Sequence, residues 1–259
     1  MGISRGSNLA DRQASGLRSH LAKVRRSLGK LRSYVEIQWA LATHGTDRLL
    51  RRDFNRWARH GRGESMERDH ARIADTIWRR MQLSASDRIL DLGCGQGWAS
   101  RRLAERAPDG CVIMGVDISD EMIRRAREKS RAFANVTYHR GKAEQIPTAS
   151  DYFTKIVSIE AFYYFERQDE VLRELLRVMQ PGGQLYLLLC CFEDHQKSPK
   201  WLKDIGLPVH NRTPREYEDM VQREGWVRVE CRVFDFRPNP AIQPDAHDRA
   251  LLITAQKPI

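Results

Sequence analysis

At 259 residues, 41% of them apolar, the chain can hold one α/β domain of ordinary size plus an extension. No apolar run approaches the roughly 18 residues that a membrane-spanning helix needs, and the five cysteines (Cys94, Cys111, Cys190, Cys191, Cys231) are odd in number and lack paired spacing. That excludes a disulfide framework and a zinc motif and suits a reducing, cytoplasmic compartment. The net charge of +10 is uneven: residues 1–80 hold 18 basic against 8 acidic residues, and residues 81–259 hold 26 of each. The basic excess therefore characterises the N-terminal part and says nothing about chemistry further on.

Residues 1–16 are rich in Ser, Gly and Arg without periodicity and read as a disordered tail. Leu17, Leu21, Val24, Leu28, Leu31 and Val35 then follow at spacings of 4, 3, 4, 3 and 4, one stripe of a helix, with Arg18, Lys23, Arg25, Arg26, Lys30 and Arg32 around it. A basic amphipathic helix over residues 17–35 has several readings. It can dock on the rest of the chain or on a twin subunit, or lie on an anionic membrane surface; an organellar presequence or a nucleic-acid contact is weaker, and nucleic acid is not the expected partner. Residues 37–80 keep helical character but break at Thr43–Thr46 and at His60–Gly63, after which a helix is expected from Glu67 to Met81.

The next stretch, Arg88-Ile-Leu-Asp-Leu-Gly-Cys-Gly-Gln-Gly-Trp98, carries the strongest signal. Ile89, Leu90 and Leu92 read as a buried strand and the segment from Trp98 as a helix, with a glycine-rich hinge between. Gly93, Gly95 and Gly97 tolerate positive φ and let a ligand approach the backbone, and the amides at the helix start suit a polar group. A nucleotide-like cofactor belongs here. The dinucleotide pattern G-x-G-x-x-G is not met, because Trp98 stands where the third glycine would be, and no Gly-Lys-Ser/Thr ending marks a phosphate loop. A second strand, Cys111 to Asp117, ends in a carboxylate 20 residues after Gly97, placed at the carboxyl edge where it can accept both hydroxyls of a ribose. Ser119 is the better cap for the following helix, with Asp120 and Glu121 in its first turn.

Four motifs in order, Asp91–Gly97, Gly115–Ile123, Gly141–Pro147 and Pro181–Gly183, resemble those of class I S-adenosylmethionine-dependent methyltransferases, and most closely the small-molecule branch with the ubiquinone and menaquinone C-methyltransferases. The resemblance covers residues 64 to 257. It implies an α/β, Rossmann-like, doubly wound sheet of seven strands, mostly parallel with an antiparallel last strand, over residues 81–259, preceded by a helical extension that includes a cofactor lid. It implies S-adenosylmethionine as cofactor, held by Asp91, Gly93, Cys94, Gly95, Gly97, Asp117, Ile118, Met122, Ala143, Glu144 and Ser158. Relatives carry an acidic residue before the Ala of the third motif; here Lys142 cannot accept from adenine, which leaves the Ala143 backbone and Glu144. Lid candidates are Trp57, Gly61, Gly63, Glu64 and Met66, with a core role for Trp57 equally open.

Further strands are expected at Val136–Gly141, Tyr152–Ile159, Gln184–Cys191, Val227–Asp235 and Arg249–Gln256, and helices at Ser119–Phe133 and Arg167–Met179. Phe153-Thr154 stands where relatives have Phe-Asp. At the end of the fourth strand, Ser158-Ile-Glu-Ala-Phe-Tyr-Tyr-Phe165 lies where donor and acceptor should meet. It lacks the Pro-Pro pair of amino-base methyltransferases. Glu160 can hold an acceptor or take its proton, and Tyr163 and Tyr164 can shape an aromatic pocket or donate hydrogen bonds. His195, Trp201 and His210, after the fifth strand, are candidates for the acceptor pocket. Thr213-Pro-Arg-Glu216 is a capping box. Methyl transfer requires alignment in a closed, water-poor cleft and no metal, and no metal-ligand spacing is visible. The expected function is methylation of a small-molecule acceptor by in-line displacement. The alternatives are a non-catalytic partner subunit with the same fold and an RNA methyltransferase that uses the basic extension.

Overall fold

The computed structural model describes residues 47–193, 209–236 and 248–259. The tail, the basic helix at 17–35, His195 and Trp201 lie outside them. Chain contacts divide the protein at Leu49/Leu50, and the sheet and the helices that cover it lie in Leu50–Ile259.

Helix α1 runs over residues 47–59 and ends in a turn at Gly61, whose φ of 76° is left-handed. Helix α2 follows at once, Arg62–Trp78. The break expected over His60–Gly63 is thus a single turn with Gly63 already helical, and α2 starts earlier and ends sooner than the expected Glu67–Met81. The remaining elements alternate: β1 Arg88–Leu92, α3 Trp98–Ala104, β2 Val112–Asp117, α4 Asp120–Lys129, β3 Val136–Arg140, β4 Phe153–Ile159, α5 Gln168–Val178, β5 Met179–Leu189, α6 Pro214–Arg223, β6 Val227–Phe236 and β7 Asp248–Gln256.

The sheet order is β3-β2-β1-β4-β5-β7-β6. Strands β1 to β5 pair in parallel, and β7 runs antiparallel between β5 and β6. This is the doubly wound, Rossmann-like sheet with an antiparallel last strand that the resemblance implies. Central strands are apolar on both faces because helices cover both. Ile89, Ile113, Val157, Leu188 and Leu252 join one buried cluster with Ile73, Ala74 and Ile77 of α2 and Leu103 of α3. Leu90, Ile156 and Leu185, which share a row of the sheet, and Leu187 alternate to the opposite face and are equally buried. Strand β5 begins at Met179 rather than Gln184, so Pro181-Gly-Gly183 lies within it.

The chain winds outward from β1 to β3 and then crosses back to β4. The carboxyl ends of β1 and β4 therefore flank the crevice where an open α/β sheet takes its ligand.

Candidate active site

The glycine hinge sits at that crevice. Gly93, Gly95 and Gly97 all have positive φ, 73°, 52° and 74°. A Cβ on Gly93 would overlap the Cβ of Ala161, where the loops after β1 and β4 meet, and one on Gly97 would overlap the Tyr138 ring. At Gly95 a Cβ would meet only the Met122 sulfur, 4.0 Å away. The outer two glycines are thus required by packing. The middle one keeps a concave backbone open to a ligand.

Asp117, at the tip of β2, faces this hinge. Its two carboxylate oxygens accept the backbone N–H groups of Gly95 at 2.9 Å and Ser119 at 2.8 Å. Loss of hydration pushes its carboxyl up to about 6. Asp91 of neighbouring β1 is buried, accepts the Ser100 hydroxyl at 2.5 Å, and is likewise raised to about 6 by burial. Cys94 is buried, with its thiol pushed well up by desolvation and by both carboxylates. Ser119 caps α4 as expected. A cofactor with a vicinal diol fits this set, since each Asp117 oxygen keeps a lone pair beyond its backbone bond.

Helix α1 reaches the same edge. Asn55 Oδ1 accepts from the Ser119 hydroxyl at 2.7 Å and from the Glu121 amide at 3.0 Å, and Arg51 pairs with Asp120. Phe54 and Trp57 lie edge-on to each other and to Tyr164, at ring separations of 5.0 to 6.4 Å. Glu64, near the start of α2, accepts from Lys129, which also donates to the Gln96 side chain; this contact holds the Glu64 carboxyl below its usual range. The lid candidates Trp57 and Glu64 thus stand beside elements that frame the crevice, and Met66 is partly buried in α2. Beyond β3, Ala143 is buried and Glu144 lies 3.9 Å from Arg167. Ile118 is partly buried beside Asp117, and Met122 packs under Gly95. Ser158 is buried and donates to the Leu92 carbonyl at 2.9 Å, tying β4 to β1.

Across the crevice, Glu160 is the first residue past β4. Its N–H still pairs with Leu188, but its φ is 56°, and the chain turns there into the short 3-10 helix Phe162–Tyr164. Its carboxylate accepts from the Cys190 amide and from the Tyr163 hydroxyl, the latter at 3.0 Å. Tyr163 is buried, and its phenol is pushed well above the usual range by desolvation and by Glu160, so it acts as a donor. His70 of α2 completes the group, with Nε2 3.5 Å from Glu160 Oε2. His210 holds the turn from outside: its N–H donates to the Tyr163 carbonyl and its ring to that of Glu166.

His70, Asn55 and Phe54 are absent from the residues singled out by sequence. His70 shares the stripe of Ile73, Ala74 and Ile77, and a lone histidine on such a stripe is the signal that was there to be read.

A family model described as a methyltransferase domain matches residues 83–225, more than half of the chain, and the chain belongs to that family of class I S-adenosylmethionine-dependent methyltransferases. Among curated relatives, the methyltransferase GfsG of Streptomyces halstedii is 32% identical over 117 residues, 44% of this chain and 41% of that protein. The ubiquinone/menaquinone biosynthesis C-methyltransferase UbiE of Proteus mirabilis is 31% identical over 120 residues, 43% and 48% respectively. The matched stretch spans less than half the length of either. A chain from the complex between the Haloferax volcanii Trm112 methyltransferase activator and a methyltransferase superposes with a TM-score of 0.69 at 26% identity, covering 80% of this chain and 98% of that one.

Proposed function

We propose that this protein transfers a methyl group from S-adenosylmethionine to a small-molecule acceptor that lies against Glu160, Tyr163 and Tyr164. The observation that carries the reading is the Asp117 carboxylate, held by the Gly95 and Ser119 amides beside the hinge glycine that packing crowds least. The family and the small-molecule methyltransferases among its relatives support it. Asp117 would take the ribose hydroxyls, the hinge backbone the amino-acid part, and the Ala143 backbone, with Glu144 nearby, the adenine. The cofactor supplies a methyl on a positively charged sulfur. The chain's part is to hold the acceptor in line, exclude water with α1 and the aromatic group of Phe54, Trp57 and Tyr164, and receive any proton the acceptor gives up. Alignment alone can lower such a barrier by roughly 7 to 11 kcal/mol.

Calorimetric titration of S-adenosylmethionine and S-adenosylhomocysteine into the full chain tests this. Saturable binding that Asp117→Ala weakens by about tenfold or more is expected. No binding to the unaltered protein ends the proposal.

A further inference from the structure

His70 of α2 and Glu160 at the end of β4 face each other across the crevice. The His70 Nδ1 lies 2.9 Å from the Met66 carbonyl, which can only accept, so Nδ1 carries the proton. Nε2 then carries the ring's lone pair, and it lies 3.5 Å from Glu160 Oε2. That oxygen also accepts from Tyr163, while Oε1 accepts from Cys190, so the carboxylate cannot swing away. Both side chains are largely buried, 16% and 6% exposed. Glu160 moreover holds a left-handed backbone conformation, which is strained in a residue with a side chain.

We infer that His70 Nε2 and Glu160 Oε2 together accept the proton of a hydroxyl-bearing acceptor, an alcohol or phenol, as its oxygen is methylated. The inference rests on the methyl-transfer reading above. An amine attacks through its own lone pair and can lose its proton afterwards to water, whereas a hydroxyl oxygen is a poor nucleophile until its proton leaves. A pair built to hold one proton at the β4 edge serves the second case. In the step, the oxygen–carbon bond forms as the carbon–sulfur bond breaks, and that bond's electrons remain on sulfur. The hydroxyl proton passes to the His70–Glu160 pair and then to solvent. The products are a methyl ether and S-adenosylhomocysteine.

The full chain is given S-adenosylmethionine with 1-naphthol, 1-naphthylamine or 1-naphthalenethiol, which share a shape and differ in the attacking atom. The ether is expected to form fastest. His70→Ala and Glu160→Gln should lower kcat by about 100-fold or more, leave S-adenosylhomocysteine affinity within about threefold, and in His70→Ala be partly rescued by free imidazole. Preference for the amine or thiol, methyl on a ring carbon, or an unimpaired His70→Ala overturns the inference. Nitrogen-15 histidine spectra of the S-adenosylhomocysteine complex decide it without any acceptor. Expected is a His70 with its proton on Nδ1 and an Nε2 signal that Glu160→Gln moves; a proton on Nε2 with a bare Nδ1, or indifference to Glu160→Gln, overturns it. Cys190 Sγ stands within 4.8 Å of the His70 and Glu160 donor atoms, so a stoichiometric metal ion in the purified protein that is lost in Cys190→Ser also overturns it. Failure of S-adenosylhomocysteine to bind at all would instead strike the methyl-transfer reading.

Discussion

Removing the Asp117 carboxylate is the sharpest perturbation of the cofactor site. Each of its oxygens already accepts one backbone amide and has room for one ribose hydroxyl. A hydrogen bond to a charged group is worth about 1.5 to 3 kcal/mol. Two ribose bonds at the lower figure give the conservative expectation. Asp117→Ala should therefore weaken S-adenosylhomocysteine by about 3 kcal/mol, on the order of 100-fold. Asp117→Asn, which keeps one acceptor, should fall between. Calorimetry near pH 8 reads the fully charged form, and thermal melts check that both variants fold, since truncation also deprives the Gly95 and Ser119 amides of their acceptor. A folded Asp117→Ala that binds within threefold of the unaltered protein would refute the placement of the ribose.

The same burial gives a pH signature. Asp91 has a folded pKa of about 6, above its unfolded value, so the native state binds more protons between about pH 4 and 6 and its stability falls as pH rises through that window. The penalty is about 2–3 kcal/mol, and Asp91→Asn should flatten the slope in urea melts recorded across that range. Gly97→Ala combines a φ of 74° with overlap of the Tyr138 ring, whose hydroxyl is fixed on Ser130, and should lower the urea-measured stability by about 2–5 kcal/mol. Thr154→Asp restores the aspartate expected from the family, yet Thr154 donates to buried Asp87 at 2.7 Å; the exchange should cost about 1–3 kcal/mol and lower Tm by several degrees, and an unchanged Tm would contradict the reasoning. Asn55→Ala removes the acceptor that ties α1 to the start of α4 and should speed hydrogen exchange over residues 50–59, while Asn55→Asp keeps the slow rate.

The cofactor side was legible because its determinants are local. Glycines at fixed spacing, a strand ending in Asp117 and a Ser119 cap each depend on a few consecutive residues, and all fall where expected. The two departures in the family pattern have different outcomes. Thr154 works as a bridge between β4 and the Asp87–Lys155 pair, so the missing aspartate is replaced by a hydrogen bond. At Lys142 the acid instead comes two residues later, Glu144, which lies near Arg167. The proposed acceptor side was legible only in part. Glu160, Tyr163 and Tyr164 lie on one short stretch, but His70, which lies 3.5 Å from Glu160, is 90 residues earlier, on a helix whose periodicity reports only that one face is buried. No local pattern states which strand end that helix will cross. Boundaries slipped for a related reason: α2 begins at Arg62 because Gly61 alone makes the turn, leaving Gly63 free to be helical.

Helix α2 links the two halves of the crevice. Near its start, Glu64 is bound through Lys129 to the Gln96 side chain of the glycine hinge; six residues on, His70 meets Glu160 at the end of β4. Six residues span about 9 Å of helix, so one rigid element sets the distance between the glycine hinge and the His70–Glu160 pair, the proposed cofactor and proton sites. Its inner face, Ile73, Ala74 and Ile77, is anchored in the core under β1 and β4, which leaves little freedom for either end to shift alone. A methyl transfer in line needs donor and acceptor fixed to within a fraction of an ångström. A helix that touches both sites and the core between them meets that need more directly than loops attached to each strand end.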